Sequence, residues 1–203
     1  MNYLAIDTSG SHLTVTCRKG EKTACGFVPE CNLQHSVILM GEIEKTLSEA
    51  GMEAVDADFF ACAVGPGSFT GIRIGVSTIK AFAYSFKKPV LAVTSFDTLA
   101  YNRCKEEKFI AVIDARHDNY YVCGYDGREL FLKPEFIGRE ELEKLADVYT
   151  LVSSTVLDGF KSETADIKDG FIKAVEAKSD FAVSDREQLV PLYIRKSQAE
   201  ENT

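Results

Sequence analysis

One segment restricts the folds open to this chain more than any other. Residues 59–64 (Phe-Phe-Ala-Cys-Ala-Val) have the uniform apolar character of a strand buried on both faces. They run into Gly65-Pro66-Gly67-Ser68-Phe69-Thr70-Gly71. The stretch beyond is apolar at Ile72, Val76, Ile79, Phe82, Ala83 and Phe86, a helical period. Strand, glycine-rich turn and helix in that order bring backbone N–H groups and the positive end of a helix to one point. Such a corner suits a phosphate, and it suits tight packing equally well. The spacing fits neither phosphate template: no Gly-Lys pair stands at Walker distance from Gly65 or Gly67, and Gly71 falls one residue late for G-x-G-x-x-G. The structural reading is favoured. Gly65 and Gly67 adopt positive φ or permit close approach, and Thr70 or Ser68 caps the helix.

The surrounding pattern is that of an α/β protein. Residues 3–7, 13–17 and 23–27 read as three strands in an antiparallel meander. From His35 to Ala50, Ile38, Leu39, Ile43 and Leu47 recur near helical period, and Gly51 supplies the stop. Residues 89–93 form another strand, with Ser95 capping a helix from Phe96. A second half starts near Lys108: strands at 109–114 and 119–125, a turn at Asp126-Gly127, then Leu130-Phe131, a short helix at 140–146, a strand at 149–153 and a helical piece at 171–177. Five strands with interleaved helices, repeated in reduced form, match the duplicated fold of actin, sugar kinases and Hsp70. The expected lobes are residues 1–105 and 106–203, with the C-terminal segment packing back on the first. No direct sequence repeat joins the halves.

With 203 residues the chain is long enough to bury real cores. The formal net charge is −8, from 31 acidic and 23 basic residues. A protein that grips nucleic acid unaided shows a basic face. Here the cations are scattered short pairs (Arg18-Lys19, Lys87-Lys88, Arg103 and Lys105, Arg195-Lys196), so any role on RNA is expected to be indirect. No apolar run reaches membrane-spanning length, and residues 1–3 lead straight into a strand in place of a leader. Cys17, Cys25, Cys31, Cys62, Cys104 and Cys123 show no C-x-x-C spacing and read as reduced thiols, which makes the cytoplasm the expected compartment. His12, His35 and His117 form no H-x-x-x-H or H-E-x-x-H pair, so no metal site is expected.

The run Gly65-Pro66-Gly67-Ser68-Phe69-Thr70-Gly71-Ile72-Arg73-Ile74-Gly75-Val76 resembles the signature of the TsaB (YeaZ) family. Ala5-Ile6-Asp7-Thr8-Ser9, His35-Ser36, residues 93–100, Ile113-Asp114-Ala115-Arg116 and, more weakly, residues 191–195 resemble that family in the same order. The resemblance covers the whole chain and is densest over 1–120. It implies the actin-like ATPase fold in two related lobes, the second reduced. It also implies a non-catalytic subunit that supports the catalytic TsaD protein in threonylcarbamoyl transfer to adenosine 37 of tRNA. The implied partners are a TsaD-like subunit, a TsaE-like ATPase reached through that complex, a homodimer when the chain is alone, and tRNA only indirectly.

The site residues follow from the same resemblance. TsaD binds metal through a histidine pair on the helix that His35 would start; here Leu39 breaks the pair, so neither a metal nor a catalytic set is implied. The surplus apolar residues of the two long helices are expected to meet a partner. The candidate interface is His35, Leu39, Ile43, Ile72, Arg73, Val76, Ile79 and Ala83, with Gly75, Ser77 and Ala81 allowing close helix approach and Asp114-Ala115-Arg116 as further polar contacts. In ATP-using members of the fold, Asp-x-Gly after the first strand holds phosphate or metal. Asp7, Thr8 and Ser9, with Gly65, Gly67, Ser68 and Thr70, are the corresponding vestigial phosphate loops. They are read first as turn residues satisfying backbone amides. No cofactor is required on this reading, and any nucleotide would bind weakly at the lobe junction. Two alternatives stay open: an ATP-binding phosphotransferase using Asp7 and the Gly65–Gly71 loop, and a glycoprotease-like peptidase.

Overall fold

The computed structural model describes residues 1–31, 34–103 and 107–195. Cys104, Lys105, Lys196 and the lobe boundary expected at 105/106 lie outside the described residues. The chain divides into two compact units, Met1–Ser95 with Val175–Leu192, and Phe96–Ala174 with the stretch from Tyr193 onward.

In the first unit β1 (Tyr3–Asp7), β2 (Leu13–Lys19) and β3 (Lys22–Val28) form the meander. Helix α1 (His35–Ala50) leads to β4 (Phe59–Ala63), and α2 (Phe69–Phe86) to β5 (Val90–Val93). The sheet order is β3-β2-β1-β4-β5, antiparallel through the meander and parallel from β1 to β4 to β5. Alternation sorts the side chains. Leu4 and Ile6 of β1, Val15 of β2 and Phe60 and Cys62 of β4 face one core shared with Leu39 and Ile43 of α1 and Ile72, Val76, Ile79 and Ala83 of α2. Burying each large aliphatic side chain contributes roughly 1.5–3 kcal/mol.

Local chemistry sets the helix ends. Gly51 closes α1 in the left-handed conformation at φ 67°, its N–H reaching the carbonyls of Leu47 and Ser48. Ser68 caps α2, accepting the Gly71 N–H at 3.2 Å. Of the two caps open from sequence, the serine is the one used. Ser95, expected to stand before its helix, is instead the first residue of α3 (Ser95–Asn102).

The apolar width of α2, expected to need a second chain, is largely absorbed inside this unit. Phe82 and Phe86 flank Phe60 at ring-centroid distances of 5.6 and 6.1 Å. Ile74, Val183 and Leu192 pack on the same core, and Leu189 is buried within it. The C-terminal stretch thus broadens the buried face beyond the single stripe that a helix on a sheet alone would show.

The second unit repeats the plan. Strands β6 (Lys108–Asp114), β7 (Asn119–Asp126), β8 (Glu129–Gly138), β9 (Thr150–Ser153) and β10 (Ser162–Thr164) lie in the order β8-β7-β6-β9-β10. Antiparallel and parallel pairings fall at the same places as in the first sheet. In chain order, helix α4 (Arg139–Ala146) follows the meander as α1 does, and α5 (Ile167–Ala177) follows the last strand as α3 does. The reduction is a single element: between β9 and β10 no helix forms, and Leu157 and Phe160 of the connecting loop cover the core, with Phe160 edge-on to Tyr120 at 5.8 Å. The short β10 carries too few apolar residues to be legible from sequence.

Candidate functional site

The topology makes two loops meet. Asp7 ends β1, and the loop after it lies on the glycine corner that opens α2. Thr8 Oγ1 donates to the Gly71 carbonyl at 2.7 Å, and the Ser68 N–H donates to the Ser9 carbonyl at 2.7 Å. Gly65 and Gly67 have φ of 103° and 157°. A Cβ on Gly67 would stand 2.2 Å from the Ser9 carbonyl oxygen and one on Gly71 2.0 Å from that of Thr8. The two loops therefore pack backbone to backbone, which glycine at 67 and 71 permits. Thr70, exposed on the first turn of α2, takes no part in the contact.

Asp7 is the polar centre of this site, buried at 2% exposure. Its Oδ1 accepts the Ser9 N–H at 2.8 Å and the Ser9 hydroxyl at 2.7 Å, and its Oδ2 accepts from His12 Nε2 at 3.2 Å. The Ser9 hydroxyl also meets the Ser95 hydroxyl at 3.0 Å, and Ser95 donates its N–H to the Gly65 carbonyl. Burial by itself drives the Asp7 carboxyl upward, but the charge and hydrogen bond of His12 and the two Ser9 donors outweigh it and hold the carboxyl below its ordinary value. His35, the first residue of α1, is also buried and donates Nε2 to the His12 carbonyl at 2.9 Å. The histidines therefore brace the loop. His12 meets Asp7 on the oxygen opposite the one that holds Ser9, so it is not placed as a base on that hydroxyl. Among the described residues no group of three His, Cys, Asp or Glu side chains is placed to hold a metal ion.

The second unit echoes the first at the equivalent point. Asp114 ends β6 as Asp7 ends β1, and its Oδ1 accepts the N–H two residues on, that of Arg116, at 2.7 Å. No glycine follows. Arg116, His117 and Asp118 all stand at positive φ (67°, 55° and 54°), with Asn119 Nδ2 donating to the His117 carbonyl at 2.7 Å. This short Ile-Asp correspondence is an internal repeat that the sequence reading missed.

The thiols are guarded by burial. Cys62 is fully enclosed beneath Gly75, and burial, helped by the Asp7 charge, pushes its thiol well above the ordinary value. Burial pushes Cys17 up to about 12 and Cys123 up to about 11. With a thiol-reactive disulfide reagent at pH 8 and peptide mapping, Cys17, Cys62 and Cys123 should be labelled only after unfolding, and Cys25, half-buried at the surface, should be labelled first among the described cysteines.

The candidate interface residues are distributed unevenly. His35, Leu39, Ile43, Ile72, Val76, Ile79 and Ala83 all lie in the first unit's own interior; of the set only Arg73 is exposed. The outward side chains of the same helices are others. On α1 these are Val37 at 77% and Met40 at 55% exposure, with Gly41 and Glu44; on α2 they are Arg73, Ser77, Ala81 and Tyr84. Gly75 faces inward, against Thr8 and Cys62. Helical period carried the signal that was missed: Val37 and Met40 are apolar positions off the Leu39–Ile43–Ala50 stripe.

Two five-stranded sheets of one strand order, each opened by an Asp-ended strand, define the actin-like class of duplicated α/β proteins. Residues 14–184 match the profile of a family described as TsaD: tRNA N6-adenosine threonylcarbamoyltransferase. The chain belongs to that family, and within it to the TsaB (YeaZ) branch. It is 34% identical over 123 residues to the tRNA threonylcarbamoyladenosine biosynthesis protein TsaB of Bacillus subtilis, covering 60% of this chain and 54% of that protein. The Escherichia coli TsaB is 26% identical over 167 residues, 76% of this chain and 71% of that one. The chain thus spans about half the length of the first curated relatives it matches, 54% and 57%. A crystal structure from Pseudomonas aeruginosa, of a protein with similarity to peptidase YeaZ, superposes with a TM-score of 0.76 at 25% identity, covering 96% of this chain and 99% of the other. Among the described residues no helix is long and apolar enough to cross a membrane.

Proposed function

We propose that this chain is a non-catalytic subunit in the making of threonylcarbamoyladenosine in tRNA, docking on a TsaD-type catalytic relative through the outward faces of α1 and α2. The observation that carries the reading is the close, internally hydrogen-bonded packing of the two loops in a member of this family. Thr8 and Ser9 occupy the ground in front of Gly67 and Gly71, and Asp7 spends both carboxylate oxygens on Ser9 and His12. Polar groups spent on bracing the two loops support a role for this chain as a surface in place of chemistry.

That surface has a suitable composition. Val37 and Met40 are large apolar side chains in water, while Gly41, Ser77 and Ala81 are small enough for a helix to approach closely. A TsaE-type ATPase would be reached through the catalytic subunit, and the chain alone would pair with itself through the same face. With a net charge of −8, contact with tRNA would be left to the partner.

Met40→Asp combined with Ala81→Asp tests the reading by co-purification with the TsaD-type protein of the same organism. Recovery of the partner should fall at least about tenfold, the 1.4 kcal/mol scale of one lost apolar contact. The melting temperature should stay within a few degrees, because both positions are exposed. Undiminished recovery would exclude this face.

A further inference from the structure

We propose that Tyr84 is the binding anchor of the α1–α2 docking face, held ready by Arg186 and Glu187 as positioning residues. The inference rests on the docking reading above and adds which side chain carries the contact and what fixes it. Tyr84 lies on the outward stripe of α2 with Arg73, Ser77 and Ala81, and it is 49% exposed. No other large hydrophobic side chain of α2 is exposed. Tyrosine is also among the residue types that carry most of the energy at protein interfaces.

An exposed tyrosine on a helix ordinarily hops between rotamers. Here two side chains from a segment 103 positions later hold it. Glu187 accepts the Tyr84 hydroxyl, and the same carboxylate accepts from Lys80, one turn back on α2, at 3.1 Å. The Arg186 guanidinium lies over the ring, 5.5 Å from its centre. Arg186 is fixed in turn: its Nε donates to the carbonyls of Ala83 at 2.9 Å and Lys88 at 3.2 Å, acceptors left over where α2 ends.

The segment that carries both residues is firmly seated. Val183 exchanges two backbone hydrogen bonds of 2.8 Å with Val90, Leu189 is buried in the core, and Leu192 donates its N–H to the Val64 carbonyl at 2.8 Å. Tyr84 is thus pinned with one ring face against the guanidinium and the remainder in water. A side chain fixed before docking gives up little freedom on docking, so more of its contact energy reaches the affinity. Lys80 and Glu187 pair with each other beside the ring, which leaves the ring itself as the uncharged ground. The occupant is an apolar side chain on a helix of the TsaD-type partner, laid close over the small residues Ser77 and Ala81.

Isothermal titration calorimetry of the full chain against the TsaD-type protein of the same organism tests this. Tyr84→Ala should weaken binding by about tenfold or more. Tyr84→Phe keeps the ring and releases the hydroxyl, and should weaken binding by about threefold. Glu187→Gln and Arg186→Met should each do the same. In a Tyr84→Ala background neither should weaken binding further, because both act only through the ring. Far-ultraviolet circular dichroism should stay unchanged in Tyr84→Phe and Glu187→Gln, both at exposed positions. Wild-type affinity in Tyr84→Ala, with Met40→Asp plus Ala81→Asp still disruptive, would overturn this inference and leave the docking reading standing. Undiminished binding of that double aspartate variant would overturn both. A Glu187→Gln effect that persists in full without the ring would make Glu187 a direct contact and overturn its positioning role.

Discussion

Asp7→Ala should lower the free energy of unfolding by about 3 kcal/mol, since several buried donors lose their acceptor at once. The loss comes from the groups left behind. The Ser9 N–H, the Ser9 hydroxyl and His12 Nε2 all donate to this carboxylate, and alanine strands them together in a buried site. Urea unfolding followed by far-ultraviolet circular dichroism would measure it. Asp7→Asn keeps an acceptor for Ser9 and should lose less than half as much, while Ser9→Ala should lose about 1 kcal/mol.

The pH dependence of the same residue has a definite sign. The carboxyl is held below its ordinary value of 3.8 in the folded chain, so folding releases a proton that the unfolded chain would keep at acid pH. Its contribution is complete above that ordinary value and fades as pH falls through the lower folded value. Wild-type stability should therefore drop along the acid limb below about pH 4, and Asp7→Asn should show a flatter limb over that window. Parallel acid limbs would mean that folding leaves the proton affinity of the Asp7 carboxyl unchanged.

Gly71→Ala should destabilise by about 3 kcal/mol, at the upper end of what overpacking usually produces. The sign opposes ordinary helix propensity, which favours alanine over glycine by about 1 kcal/mol. The new Cβ would lie 2.0 Å from the Thr8 carbonyl oxygen, a backbone atom that cannot swing aside. Either the β1 loop or the first turn of α2 must retreat, weakening the Ser68-to-Ser9 and Thr8-to-Gly71 hydrogen bonds. Gly41→Ala is the control. It sits mid-helix on α1 with nothing within 4 Å of the added carbon, and should stabilise by about 0.8 kcal/mol. Equal shifts of one sign in both variants would show that the loop contact does not hold α2 in place.

The meander, the corner at Gly65–Gly71 and the stop at Gly51 were legible because each is written in neighbouring residues. A period of two, a helical period and a residue suited to positive φ need no knowledge of the rest of the fold. The candidate site was legible only as two separate loops. Their meeting joins Thr8 to Gly71, positions 63 apart, and no local pattern reports a contact of that length. The expectation for α2 erred for a related reason. Counting its apolar residues correctly found too many for one sheet, but the stretch holding Val183, Leu189 and Leu192 returns from the far end of the chain to help cover the core.

By itself, then, the order of residues determined most of the strands and helices, where the sharp turns fall, and that two like halves follow one another, since these depend on side chains a few positions apart. Tertiary structure alone decided that His12 and Ser9 share the Asp7 carboxylate, and that Leu39 and Ile72 are core while Val37 and Met40 meet water. Burial and pairing are properties of neighbours in space, and those neighbours are supplied by remote parts of the chain.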